Sequence, residues 1–270
     1  MGVFSGPADW WTDGTNEGRT HIATKGVIQD GIVLNLDAGA STSYPGSGTT
    51  WTDLSDESNN GTLTNGPTFS SADGGSIVFD GTNDYIDLGD TFDDIIAGAD
   101  KKFSMEIWIN PDTVSGTQHL ISKHGDSNFS ENNREFYIGL SNDEVYSFAS
   151  FNPSTSQSRQ YTTSSANLTA GSWHHIVLVY DGSIDAAGRF TFYVNSQNEA
   201  ATSTYSNGSW GDIQDTSARF AIGAMVGANV ANSPLTPFDG KISNTKIYSR
   251  LLTATEVKQN YRNAKGRYGL

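Results

Sequence analysis

The chain has 270 residues, with 30 acidic against 16 basic side chains and a formal net charge of −14. That balance argues against nucleic acid and anionic membrane surfaces as partners, since both require a basic patch. It leaves hard cations such as calcium open, because these take oxygen ligands. With no cysteine, disulfides, thiolate metal sites and thiol nucleophiles drop out together.

Charged residues make up 17% of the chain, so Ser, Thr, Asn and Gly must cover much of the surface. Such a composition suits many short strands joined by turns. The opening MGVFSGPADWW lacks a basic segment followed by an apolar one, and so does not read as a secretory leader. No apolar run approaches the ~18 residues of a membrane helix.

Residues 1–30 are polar and Gly-rich, with a Trp10–Trp11 pair and no periodicity. They read either as a disordered tail or as an extended arm that docks on a neighbour through its two indoles. We expect the docking arm. From Gly31 strands recur, and residues 31–270 read as one domain. GIVLNLD comes first, then SIVFDG and DYIDLG around the turn Gly81–Asn83. In KFSMEIWIN, Phe103, Met105, Ile107 and Ile109 face one way, and Ser104, Glu106, Trp108 and Asn110 the other. HLISK, REFYIGLS and VYSFASF continue the series. WHHIVLVYDG is apolar on both faces over Ile176–Tyr180, which predicts a central strand covered on both sides. RFTFYVN turns Phe190, Phe192 and Val194 inward, and ARFAIGA and KISNTKIYS close the set. Asn65-Gly66, Asp181-Gly182 and Asn207-Gly208 mark turns.

More than ten short strands predict an all-β, two-sheet sandwich. One short C-terminal helix is expected. Thr253 and Glu256 form a capping box, Val257 and Tyr261 share a face, and Gly266 is the expected end.

Four stretches, SIVFDGTNDYIDLG, FSMEIWINPDT, SWHHIVLVYDGS and FDGKISNTKIYSRLLTATEV, together resemble the laminin-G-like, concanavalin A-like lectin/glucanase family. The resemblance implies a jelly-roll sandwich of two antiparallel sheets. GIVLNLDAGASTSYPGSGTTWTDLS and NYRNAKGRYGL resemble a narrower group, the laminin-G-like virion proteins of tailed bacteriophages. That implies a non-enzymatic virion structural protein: a capsid decoration, fibre or appendage. It would be anchored to other virion proteins through the arm, oligomeric in the assembly, and in contact with host glycans. The alternative is a calcium-dependent carbohydrate-binding module of a bacterial protein.

Glucanases of this family carry carboxylates at alternate positions of one strand, all on one face. Here the same-face positions are Glu106, Trp108 and Asn110, so two of three carboxylates are missing. Glycoside hydrolysis needs a pair ~5–10 Å apart, so no catalytic residue is expected. His174 and His175, adjacent on a strand, point to opposite faces and cannot share one metal. For sugar binding the expected platform is Trp108. Tyr137 and Tyr146 would join it if their strands neighbour the Trp108 strand with matching facing, with Asn128, Asn132 and Arg134 as polar contacts. The alternative is that these rings lie under a second layer or a subunit contact. The resemblance implies calcium in loops, with Asp37, Asp80 and Asp84 as structural ligands; otherwise these aspartates cap turns.

Overall fold

The computed structural model describes residues 26–125, 133–152, 157–227 and 234–270. The first strands are β1 (Ile32–Asp37), β2 (Thr50–Trp51), β3 (Gly61–Thr64), β4 (Thr68–Ser70), β5 (Ser76–Asp80) and β6 (Tyr85–Gly89). A one-turn helix, α1 (Asp93–Ile96), precedes β7 (Lys102–Pro111), β8 (Thr117–His124) and β9 (Arg134–Ser141). Then come β10 (Glu144–Asn152), β11 (Gln157–Thr163), β12 (His174–Asp181) and β13 (Phe190–Val194). The chain continues through β14 (Gln197–Glu199), β15 (Ala201–Asn207), β16 (Phe220–Ile222) and β17 (Asp239–Tyr248) to α2 (Ala254–Ala264).

The strands form two antiparallel sheets. Sheet A has the order β14-β13-β12-β7-β17-β5-β4, with β1 also pairing with β17. Sheet B has the order β15-β11-β10-β9-β8-β16-β6-β3-β2. This is the predicted jelly-roll sandwich. Phe103, Met105, Ile107 and Ile109 of β7 enter the core, as do Phe190, Phe192 and Val194 of β13. From sheet B they meet Phe136, Ile138 and Leu140 of β9 and Val145, Ala149 and Phe151 of β10. Strand β12 lies between β7 and β13, and His174–Tyr180 are all buried. Its two-sided hydrophobicity follows from that position: Ile176 and Leu178 face the core, Val177 and Val179 a second cluster with Val257 of α2.

α2 starts where the capping box places it. The Thr253 side chain accepts from the Glu256 amide, and a Glu256 carboxylate oxygen accepts the Thr253 amide at 2.8 Å. The end differs from expectation. Gly266 lies inside a 3-10 turn spanning Lys265–Tyr268, and Gly269, at φ 72°, supplies the left-handed residue that ends the segment. Continuation past Gly266 carries Tyr268 back onto the sheet. Trp10 and Trp11 lie outside the described residues. Of the expected arm, residues 26–30 rest on α2: the Gly26 carbonyl accepts from Gln259 Nε2 at 2.7 Å, and the Ile28 amide donates to Asn260 Oδ1 at 2.9 Å. Replacing Thr253 with Ala leaves the Glu256 amide without its cap, and thermal denaturation should show a loss of about 1 kcal/mol with the β spectrum unchanged.

Candidate functional site

The outward face of β7 carries Ser104, Glu106, Trp108 and Asn110. Trp108 is opposite His175 on β12 and Asn244 on β17, and Glu106 is opposite Val177 and Lys246. The C-terminal segment covers this face. Trp108 has no exposed surface: Tyr268 stacks on it at 4.2 Å between centroids, Tyr261 at 5.7 Å and 4°, and Trp173 packs in the same cluster. The expected sugar platform is therefore buried beneath the second layer. Glu106 is equally buried. Lys246 Nζ donates to its Oε1 at 3.0 Å and Asn260 Nδ2 to its Oε2 at 2.6 Å, while His175 Nε2 lies 3.4 Å from Oε1. Burial alone would raise its pKa, but Lys246 and His175 outweigh that and hold the carboxyl far below its usual range. A carboxylate locked in this way has neither the access nor the protonation behaviour of a catalytic acid.

A second aromatic cluster lies on the outer face of the other sheet, with Tyr137 its one partly exposed ring among the described residues. In β9, Phe136, Ile138 and Leu140 point to the core, so Tyr137 and Gly139 point outward. In β10, Tyr146, Phe148 and Ser150 do the same. Register aligns Ser122, Tyr137, Phe148 and Gln160 in one row across β8, β9, β10 and β11. The next row holds His119, Gly139, Tyr146 and Thr162. Tyr137 stacks on Phe148 at 4.8 Å and 13°, and His119, His124 and Tyr146 meet the Tyr137 ring edge-on at 4.7, 5.3 and 5.4 Å. A Cβ at Gly139 would come within 2.7 Å of the Tyr146 ring. Glycine thus lets that ring lie over its neighbour strand.

Polar groups continue the rows toward β15. Tyr137 Oη donates to Gln160 Oε1 at 3.1 Å, Gln160 Nε2 to Thr204 Oγ1 at 3.1 Å, and the Thr162 and Thr204 hydroxyls are 3.0 Å apart. Tyr146 Oη meets His119 Nε2 at 3.1 Å, and His119 Nδ1 meets Thr236 Oγ1. Burial pushes His119 down to about 3, so it is neutral near pH 7, and the same burial raises both tyrosines. Most of the cluster is buried, whereas Tyr137 is half-buried and Gln160, Thr162 and Thr204 reach solvent. The face combines apolar rings with a ladder of uncharged hydroxyl and amide groups.

Of the expected contact residues, Arg134 is buried at the register of His124, one step along this face. Asn128 and Asn132 lie outside the described residues. Tyr137 and Tyr146 are neighbours of each other, but Trp108 is in the opposite sheet. Of the expected calcium ligands, Asp80 and Asp84 share one turn and Asp37 lies apart from them. Asp37 Oδ1 accepts from the Arg267 guanidinium at 2.6 Å and the Gly39 amide at 2.9 Å. Asp80 Oδ1 accepts from the Thr82 amide at 2.8 Å, and Asp84 Oδ2 from the Asp80 amide at 3.1 Å. Along β17, Asp37 is opposite Asn244 and Asp80 opposite Asp239, a separation of roughly 16 Å at strand rise. The aspartates act as turn caps and an ion-pair partner. Phe148, Gln160 and Thr204 were not anticipated. The alternation of VYSFASF carried the signal for Phe148, whereas Gln160 and Thr204 sit in polar strands without one.

The family model for the Concanavalin A-like lectin/glucanases superfamily matches residues 80–258, and the chain belongs to that superfamily. Among solved structures it is similar to the binding domain of Paraclostridial Mosquitocidal Protein 1, at TM-score 0.61 and 16% identity over 86% of this chain and 52% of that one. It is also similar to the Botulinum neurotoxin serotype D ligand binding domain in complex with N-acetylneuraminic acid, at 0.59 and 10% over 87% and 51%. A third is the Ruminococcus gnavus IT-sialidase CBM40 bound to alpha2,3 sialyllactose, at 0.52 and 15% over 68% and 94%. The chain spans about half the length of the two toxin structures. No curated protein sequence matches it. At these identities the likeness shows the fold.

Glu106, with its pKa depressed in the folded state, stabilises the fold fully above its unfolded value near 4.5 and loses that contribution as pH falls. Glu256, held at about 2 by Arg250, acts in the same direction. Urea denaturation should show stability falling below pH 4.5. Glu106→Gln, which strands Lys246 without its partner, should cost about 3–5 kcal/mol at pH 7 and flatten this acid dependence. An unchanged urea midpoint would contradict the assignment.

Proposed function

We propose that this chain is a non-catalytic glycan-binding domain whose binding face is the outer surface of sheet B around Tyr137. The observation that carries this is the row Tyr137–Phe148–Gln160, continued by Thr162 and Thr204. Sugars present apolar C–H faces and a rim of hydroxyls. A half-buried aromatic ring beside fixed amide and hydroxyl groups matches both. Support also comes from the fold shared with the serotype D toxin domain in complex with N-acetylneuraminic acid and the CBM40 bound to sialyllactose. The enclosure of Glu106 under α2, with no second carboxylate beside it among the described residues, argues for binding without turnover.

We place this domain in a phage virion, as a decoration, fibre or appendage protein. That setting rests on the resemblance in residues 31–55 and at the C-terminus. Immunogold labelling of purified particles from a lysate should mark the virion; labelling confined to the particle-free fraction would favour a module of a bacterial protein instead.

A glycan array that includes sialylated and neutral oligosaccharides should give selective hits. On the best hit, calorimetry should show Tyr137→Ala and Gln160→Ala weakening binding about tenfold or more, which is about 1.4 kcal/mol. Trp108→Phe should bind as the parent does. No hit on the array, or wild-type affinity in Tyr137→Ala, would remove the proposal.

A further inference from the structure

At one end of the sandwich a buried lysine is outnumbered. Lys123 of β8 is fully buried, with Nζ 2.6 Å from Asp90 Oδ1, 2.8 Å from Asp93 Oδ1 and 3.5 Å from Glu135 Oε1. Glu135 reaches it because the β8–β9 register skips: Lys123 pairs with Phe136 and His124 with Arg134, leaving Glu135 as the extra residue of a bulge. Its side chain has no exposed surface. Oε1 accepts the Thr216 amide at 2.9 Å and the Thr216 hydroxyl at 2.7 Å. Oε2 is buried without a hydrogen-bond partner. Oxygens of Asp93, Glu135 and Asp215 lie within 4.8 Å of one another. Oxygens bound at 2.3–2.6 Å to one calcium ion can be at most ~5 Å apart.

We propose that Asp93, Glu135 and Asp215 bind a divalent cation, with calcium as the best fit, beside the Lys123 ammonium. The donor set is all oxygen, which selects a hard cation. The three carboxylates come from α1, the start of β9 and the segment before β16, a set that suits the adaptable coordination of calcium better than the strict octahedron of magnesium. Asp90, Asp93 and Glu135 lie against the Lys123 ammonium and Asp215 lies beside two of them, so the cluster holds more carboxylates than its one lysine balances. The ion would join three segments at the base of the β8–β9 connection, next to His124 and Arg134. This proposal does not depend on glycan binding.

The test uses the full chain, stripped with chelator and titrated with calcium chloride by calorimetry, with thermal denaturation alongside. One ion should bind, and saturating calcium should raise the thermal midpoint. Asp215 is exposed, so Asp215→Asn should keep the fold, checked by circular dichroism. It should weaken calcium binding about tenfold or more, the scale seen when a metal site loses a supporting group. Glu135→Gln should abolish it. Absence of both heat and thermal shift in the wild type would mean that Lys123 alone serves the cluster. Calcium affinity unchanged in Asp215→Asn would place any ion elsewhere. Either result overturns the proposal.

Discussion

Glu106 and Lys246 meet at 3.0 Å on neighbouring strands of sheet A, both removed from water by the C-terminal helix. Taking two charges out of water is costly unless their remaining hydrogen-bonding capacity is filled. Here the filling comes from the helix. Asn260 donates to the second Glu106 oxygen and to Tyr248 Oη, and its own oxygen accepts from Ile28. Lys246 also donates to Asn244 Oδ1, and the Asn244 amide donates to Tyr268. The pair is thus tolerable only while α2, the 3-10 turn after it and residues 26–30 are all seated. The arrangement favours one docking register for the C-terminus over a general greasy contact.

That dependence divides the molecule into two unlike surfaces. Sheet A is covered by a layer that belongs to the fold, with Trp108 stacked between tyrosines. Among the described residues no helix crosses the face of sheet B around Tyr137, and its outward side chains change from buried rings at β8–β10 to more exposed hydroxyls and amides at β11 and β15. The acidic cluster around Lys123 lies at the margin of that sheet, where a bulge turns Glu135 into the interior.

Much of this was legible from period-two alternation. It separated Phe103, Met105, Ile107 and Ile109 from Glu106 and Trp108, and identified β12 as covered on both sides. The capping box at Thr253 marked the start of α2 correctly. Alternation says which side a residue faces but not what lies on that side. Trp108 faces away from the core and is still fully buried, because the covering layer comes from residues more than 150 positions later. The same limit separated Tyr137 from Trp108, since sheet membership depends on long-range pairing. Glu135 was illegible because a bulge breaks the alternation from which its direction would be read. The aspartates at 37, 80 and 84 had the composition of a cation site, but short-range amides and Arg267 claim them.

The central claim is that the C-terminal helix is one cooperative unit with the strand it covers. Native-state hydrogen exchange across a urea series tests it most directly, by comparing amides of Val257–Ala264 with those of Met105–Ile109. Both sets should exchange through the same global opening, with equal free energy and equal denaturant dependence. Exchange of the helix amides through a low-energy local opening, with β7 still protected, would contradict the account.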